Sequence, residues 1–421
     1  MAEPSLLTTP DAPAVSSGGG RKVRLAYFVS HPIQYQAPLL RRIAQEPDID
    51  IKVFFSSDLS VREQGFRDEG FGVELKWDIP LLEGYKYEFL PKIGDGDTLG
   101  IFRPLNWGVL KRLSEGRFDA VWVLGYHRLV YLQAMLAARF LRLPVLIQTD
   151  SNLYRVRTER KRVAKSVFAK MLKPLVSGVL TVGNANTAYW REFFGPEMPL
   201  FDFPYAVDNR FFRERVLRAA PMREELRREL NLEPGRPVIL YAAKLLGWKR
   251  PMDVIEAYIR LCPAPGVDPG AYLLIVGDGE ERSRLEARVQ ESGLTGIRFL
   301  GFKNQTEIPR FFELCDVFVL PSDGEPWGLV VNEVMNAGRA IVLSDRVGCG
   351  VDLVRHGYNG LIYSCGDIQA LSQYLRHLLE DSALCAGMGE NSLRMIQQHS
   401  FEQDVAGLRE ALSHLLPGFQ A

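Results

Sequence analysis

CDVFVLPSDGEPWGLVVNEVMNAG, residues Cys315 to Gly338, carries most of what the chain discloses about its fold. Val317 to Leu320 is an uninterrupted apolar run and reads as a buried strand, Pro321-Ser322-Asp323-Gly324 supplies turn chemistry, and a helical pattern begins near Pro326 to Gly328. A strand too apolar to have a solvated face, followed by a turn and a helix, is the unit of a parallel sheet covered on both sides. Pro and Gly at a helix start leave N–H groups uncommitted at the positive end of the dipole, which favours an anion such as phosphate. Glu325 stands just before this helix and Glu333 eight residues further on. That spacing puts both carboxylates on roughly one helical face if the helix has already begun, each able to accept hydrogen bonds from sugar or ribose hydroxyls. Taken alone, the pair also reads as one acid near a helix start and one solvated glutamate.

Outward from this segment the same unit recurs. The second half shows strands at Val238 to Ala242, Ala271 to Val276, Ile297 to Leu300, Ala340 to Ser344 and Gly360 to Tyr363. The first half shows them at Val23 to Val29, Ile51 to Ser56, Ala120 to Leu124, Pro144 to Gln148 and Gly178 to Val182, with helices including Gln36 to Glu46 and Val130 to Phe140. With 421 residues, the chain suits two domains. The expected division is a loose tail at 1–20, an N-terminal Rossmann-like domain at 21–207, a linker at 208–236 around the charged helix Arg223 to Leu230, a C-terminal Rossmann-like domain at 237–399, and a final helical stretch at 400–421 that could cross back. Two doubly wound α/β sheets facing each other place their strand C-terminal ends around one cleft, where ligands bind.

Composition sets the remaining bounds. No stretch approaches the ~20 uninterrupted apolar residues of a spanning helix, and the tail lacks the basic and apolar regions of a secretory signal. Five cysteines, all in the second half and with no CxxC pair, suit a reducing compartment without structural zinc. The 51 Lys and Arg balance 51 Asp and Glu, but Met1 to Arg250 carries a net of +10 and Pro251 to Ala421 a net of −10. Arg155 to Lys173 concentrates eight basic residues and one acid, interleaved with Val163, Val167, Phe168 and Met171. Such a helix suits an anionic membrane surface, or equally a core-packed position with a basic outer face. No motif for nucleic acid accompanies the charge.

Lys244 and Lys249, in the segment Ala243-Lys-Leu-Leu-Gly-Trp-Lys-Arg250, follow a strand in the acidic half and suit a diphosphate. With these residues in place the chain resembles the retaining glycosyltransferases of family 4, which have the GT-B architecture. The resemblance lies in Glu325 and Glu333 as a Glu-x7-Glu motif, in Lys244 and Lys249, in Val276-Gly277-Asp278-Gly279, Leu300-Gly301-Phe302, Pro321-Ser322 and Asn359-Gly360-Leu361, and in Pro204-Tyr205-Ala206-Val207-Asp208. It spans about Arg21 to Leu416 and is strongest in the second domain. It implies a nucleotide-sugar donor: Glu325 on the transferred sugar, Glu333 on the ribose, Lys244 and Lys249 on the diphosphate with amides around Gly328, Leu329 and Val330, and backbone near Phe302 and Lys303 at the base, close to Gly277. Lys249 acts as an electrostatic catalyst, and neither a metal nor another cofactor is implied, since lysines and a helix start take over that charge.

Two departures stand out. Lys244 occupies the position of the family's usual Arg, and Ser30-His31-Pro32-Ile33-Gln34-Tyr35 follows the first strand in place of a Gly-rich loop, matching a branch with a His-Pro-Ile-Gln-Tyr segment. In that branch His31, Gln34 and Tyr35 are expected to face the cleft and touch the acceptor or the reacting sugar, with His31 among the catalytic residues; the plainer reading is that His31 caps the following helix. Tyr126, His127 and Asp150 also follow strands and are candidates for the acceptor side. Asp95-Gly96-Asp97 has the spacing of a metal-binding DxD but reads as an exposed turn. The expected acceptor is a glycan, a lipid-linked or a small molecule, the expected location cytoplasmic, with the basic helix on the cytosolic face of a membrane. The competing readings are a non-catalytic nucleotide-sugar-binding scaffold, an epimerase or phosphorylase on the same architecture, and a dehydrogenase, the last opposed by an incomplete glycine fingerprint.

Overall fold

The computed structural model describes residues 21–68, 70–94, 99–155 and 158–419. The tail at 1–20, the Asp95-Gly96-Asp97 turn and Arg157 of the basic stretch lie outside the described residues.

Strands β1 (Val23–Val29), β2 (Ile49–Phe55), β3 (Lys86–Phe89), β4 (Ala120–Leu124), β5 (Val145–Thr149), β6 (Gly178–Thr181) and β7 (Leu200–Asp202) form a parallel sheet in the order β7-β6-β5-β4-β1-β2-β3. A second parallel sheet holds β8 (Val238–Ala242), β9 (Tyr272–Val276), β10 (Ile297–Gly301), β11 (Val317–Leu320), β12 (Ala340–Ser344) and β13 (Gly360–Tyr363) in the order β10-β9-β8-β11-β12-β13. The central strands of both sheets are buried on both faces, which is why they read as continuous apolar runs. Each sheet has an apolar core on either side.

Strand order reverses between β1 and β4 in one sheet and between β8 and β11 in the other. At such switch points the loops leaving adjacent strands diverge and open a crevice. The segments singled out in the sequence leave these four strands: Ser30-His31 after β1, Gly125-Tyr126-His127 after β4, Ala243 to Arg250 after β8, and Pro321 to Glu325 after β11.

Three readings need correction or completion. The edge strands β3 and β7 carry no apolar run: β3 is half exposed, and β7 has three residues. The helix after β1 ends at Ile43, short of Glu46. The basic helix, Glu159–Leu172, is not core-packed, since only Ala169 and Leu172 are buried and Val163, Val167 and Met171 are exposed. Thr158 caps its start by accepting from the Lys161 amide.

The last helix, Phe401–Leu415, packs on the first sheet, not the second. Val405, Leu408, Ala411 and Leu412 join the core built by Leu25, Tyr27 and Phe201, and Arg409 pairs with Glu46 and Asp48. Gly407 lets this contact form, because a Cβ there would lie 1.6 Å from the Asp202 carbonyl oxygen. The chain therefore ties its end to its beginning, and the cleft is bounded by two bodies linked at more than one place.

Candidate active site

The loop after β11 is the centre of the cleft. Glu325 is extended, not helical: its N–H donates to the Arg346 carbonyl at 3.0 Å and its own carbonyl accepts from Gly348 at 3.1 Å, as a one-residue parallel bridge beside Val347. The helix begins only at Leu329, after Gly328 takes a left-handed conformation with φ 100°. Glu325 and Glu333 thus do not share a helical face, contrary to the spacing argument. The turn through Pro326 to Gly328 separates them, and each finds its own environment.

The Glu325 carboxylate forms an ion pair with Lys249, with side chains only 7% and 13% exposed. The N-terminal domain holds the same loop from across the cleft. Asn152 Nδ2 donates to the carbonyls of Glu325 and Pro326 at 2.9 and 3.1 Å, and Arg155 Nε donates to Gly324 at 2.7 Å. Trp248 lies between two cations, with the Arg155 guanidinium 4.3 Å and the Lys249 ammonium 4.5 Å from its ring centroid. Lys249 is thus held between a carboxylate and an aromatic ring inside the cleft.

Lys244 pairs with Asp68 of the N-terminal domain at 2.7 Å and lies 4.7 Å from the Phe71 ring centroid. Asp68 is fixed by amides, because its Oδ1 also accepts from Gly70 and Phe71 at 2.8 Å. From there the chain closes over the end of β10. Phe302 packs edge-to-face on Phe71 at 4.8 Å and near Trp77 at 6.3 Å, Asn304 donates to the Lys76 carbonyl at 2.7 Å, and the Thr306 amide donates to Asp78 at 3.0 Å. Gly277 ends β9 and donates to the Gly301 carbonyl at 2.9 Å, beside this closure.

Glu333 lies in the helix Leu329–Met335, bonded to Gln305. Burial pushes its pKa from 4.5 up to about 7, against the smaller opposing effect of the Gln305 bond. A carboxyl half protonated near neutrality can both donate to and accept from a neighbouring hydroxyl. With Gln34, Tyr35 and Gln305 it lines a cavity of about 360 Å³ between the domains.

The strand ends of the first sheet line a second cavity of about 310 Å³, with Tyr35, Tyr126, His127 and Asp150 among its walls. Burial raises the Asp150 pKa, and the nearby Glu325 charge adds to this. Burial also lowers the His31 pKa to about 4, with Arg128 contributing, so the ring is neutral at pH 7. His31 Nδ1 shares a 2.8 Å hydrogen bond with Ser30 Oγ, and the helix Gln36–Ile43 has no side-chain cap, so His31 does not cap it. Tyr35 bridges the two cavities and packs on Tyr205 at 5.6 Å.

Sequence reasoning missed Asp68, Phe71, Trp77 and Asn152, and counted Arg155 only in the basic stretch, whereas it turns to Gly324 and Trp248. Asn152 and Arg155 follow Asp150 by only a few residues, and the Asp-x-Gly turn at Asp68 was a legible local signal. Their roles are set by contact with the other domain, which no local pattern reports.

Residues 222–395 match the family model described as glycosyl transferases group 1. The lipopolysaccharide core biosynthesis glycosyltransferase LpsE of Rhizobium meliloti is 32% identical over 165 residues, covering 39% of this chain and 46% of that protein. N-acetyl-alpha-D-glucosaminyl L-malate synthase of Bacillus anthracis is 25% identical over 203 residues, 48% of this chain and 51% of that one. The matched stretches span about half the length of these relatives. Anabaena HepE, solved with UDP and glucose, superposes with a TM-score of 0.69 at 19% identity, covering 93% of this chain and 100% of HepE. That likeness shows the fold: two facing parallel-sheet α/β domains in the GT-B arrangement.

The buried carboxyl of Glu333 has a measurable signature. Because its folded pKa is raised, its contribution to stability is fully present below pH 4.5 and is lost as pH rises through about 7. Replacing it as Glu333→Gln removes that loss, worth at most about 3 kcal/mol. Melting curves of the two proteins from pH 4 to 8 are expected to converge at the acid end, with the wild type falling behind near neutrality; parallel curves would contradict the assignment.

Proposed function

We propose that this chain is a glycosyltransferase that moves a sugar from a nucleotide-sugar donor to an acceptor hydroxyl with retained anomeric configuration. One observation carries the reading. Of the two lysines leaving β8 at the switch point of the second sheet, Lys249 meets the buried Glu325 on the loop after β11 and Lys244 pairs with Asp68 of the other domain, with Glu333 in the helix that follows Glu325. Their chemistry matches the donor in order: Glu333 for the ribose, Lys244 and Lys249 with the amides of Gly328 to Val330 for the diphosphate, Glu325 for the sugar. The match of residues 222–395 to a glycosyltransferase family and the UDP complexes of HepE support it. The His-Pro-Ile-Gln-Tyr segment after β1 supports placing the chain in the family 4 branch that carries such a segment.

In the proposed reaction the bond from the anomeric carbon to the diphosphate oxygen breaks and a bond to the acceptor oxygen forms on the same face. The acceptor proton passes to the leaving diphosphate, and a nucleoside diphosphate is released. Lys249 stabilises the charge that grows on the leaving group, in a site where water is largely excluded. It must leave Glu325 to do so, which frees that carboxylate for the sugar hydroxyls. No metal is required on this reading. His31, neutral at pH 7, serves as a hydrogen-bonding group beside the acceptor, with Tyr126, His127 and Asp150 on the same side. The acceptor is a glycan, lipid-linked or small molecule, and the chain works at the cytosolic face of a membrane, docked by the helix Glu159–Leu172.

The reading is tested by screening UDP-, GDP-, ADP- and dTDP-sugars for thermal stabilisation and nucleoside diphosphate release, with and without EDTA. One donor is expected to stabilise the protein and be turned over with no effect of chelator. Tight binding without turnover on any acceptor favours a scaffold; sugar release that requires phosphate favours a phosphorylase. Lys249→Ala is expected to lower turnover by about 10²–10³, and because it strands Glu325, adding Glu325→Gln recovers melting temperature but not turnover. Wild-type turnover by Lys249→Ala sinks the diphosphate assignment.

Membrane docking is tested with phosphatidylglycerol vesicles. Reversing Arg160, Lys161 and Lys170, all exposed on the helix, removes roughly 1 kcal/mol per cation. A drop of about 100-fold or more in vesicle affinity is expected, and unchanged sedimentation would discard docking.

A further inference from the structure

A single aromatic side chain separates the acceptor-side cavity from the outside of the N-terminal domain. The Tyr126 hydroxyl meets Ser151 Oγ at 3.2 Å and the Tyr189 hydroxyl at 2.9 Å, while its ring packs 5.4 Å from Phe168. Beyond it opens a groove of about 670 Å³, lined by Phe102, Leu132, Leu136, Phe168 and Met171. Tyr126 and His127 line both this groove and the acceptor-side cavity, so these two side chains form the partition between them.

The groove is built from fixed parts. Its walls are the helices Leu129–Phe140 and Glu159–Leu172, and its end is the segment at 100–102, tied down by the Leu129 amide on the Ile101 carbonyl at 2.8 Å and by Arg128 on the Gly100 carbonyl at 3.0 Å. Phe102 is 63% exposed, Leu136 51% and Met171 72%. Apolar surface left open on this scale, along a groove, marks a binding site. Charge supplies the second half of the argument. Arg128 lines the groove near the cleft and Lys170 is exposed on the second helix, whereas Lys165 and Lys173 turn away onto the Tyr189 hydroxyl and the Phe194 carbonyl. An apolar trough with cations beside it is complementary to an amphiphile with an anionic head and a long hydrocarbon chain.

We propose that this groove holds the hydrocarbon chain of a lipid-linked acceptor, whose phosphate-bearing head passes Tyr126 and His127 to present its hydroxyl in the cavity beside Asp150. The inference rests on the transferase reading above and narrows its acceptor to a lipid phosphate.

The test uses the full chain and two water-soluble probes, butyl phosphate and decyl phosphate, in calorimetric titrations below the micellar limit. Decyl phosphate is expected to bind one-to-one and at least 100-fold more tightly than butyl phosphate. The double variant Leu136→Asp with Met171→Glu, both at exposed positions, is expected to bind the two probes alike while keeping wild-type melting temperature. Equal affinities in the wild type, or chain-length dependence that survives in the variant, overturn the groove assignment whatever the donor screen shows. Absence of donor turnover alongside chain-length-dependent binding overturns the transferase reading and, with it, the acceptor role of the bound lipid.

Discussion

The backbone of Gly324 to Pro326 is gripped from both domains, and the rest of the site depends on that grip. Asn152 and Arg155 hold its carbonyls from one side while Arg346 and Gly348 bond it from the other. Without these contacts the loop after β11 would run into the helix directly, as the Pro and Gly residues allow, and Glu325 would point with the helix instead of toward Lys249. Held extended, the loop aims Glu325 into the cleft, and the left-handed Gly328 then restarts the chain as a helix that buries Glu333. Two carboxyl groups close in sequence acquire different surroundings: one is paired with a lysine, the other is driven by burial toward the neutral form.

The cleft satisfies its cations internally. Lys249 rests on Glu325 and Lys244 on Asp68, which the amides of Gly70 and Phe71 hold in position. On the proposed reading a diphosphate offers the same partner chemistry as these carboxylates with more charge, so that its arrival would exchange one ionic contact for another. That exchange avoids leaving a buried lysine unpaired at any stage, which would cost several kcal/mol. Because Asp68 belongs to the opposite domain, the exchange at Lys244 also links the anion to the closure formed by Phe71, Trp77 and Asp78 over Phe302 and Thr306.

Much of this was legible in the residues, and the limits of legibility have physical causes. The strands β1, β4, β8, β11, β12 and β13 are rich in apolar residues, broken only by Arg24 in β1 and ended by Ser344 in β12, because both faces are largely buried, and their bounds could be read from that pattern. Four of them, β1, β4, β8 and β11, flank the switch points, so the residues after these four, His31, Tyr126, Lys244, Lys249 and Glu325, were candidates for the cleft before any coordinates. The edge strands β3 and β7 were invisible because an edge needs little apolar surface. The helical spacing of Glu325 and Glu333 misled for a different reason: a bridge to Val347 overrides local propensity. The basic helix could not be placed by pattern, since an amphipathic stripe looks the same whether it faces a core or remains exposed.

The most direct test of the account is the structure of the complex with a nucleoside diphosphate, UDP first. The account predicts the diphosphate within hydrogen-bond distance of both Lys244 and Lys249, the ribose on Glu333, and Asp68 displaced from Lys244. A diphosphate bound elsewhere, or bound with the pairs Lys244 to Asp68 and Lys249 to Glu325 both intact, would contradict it.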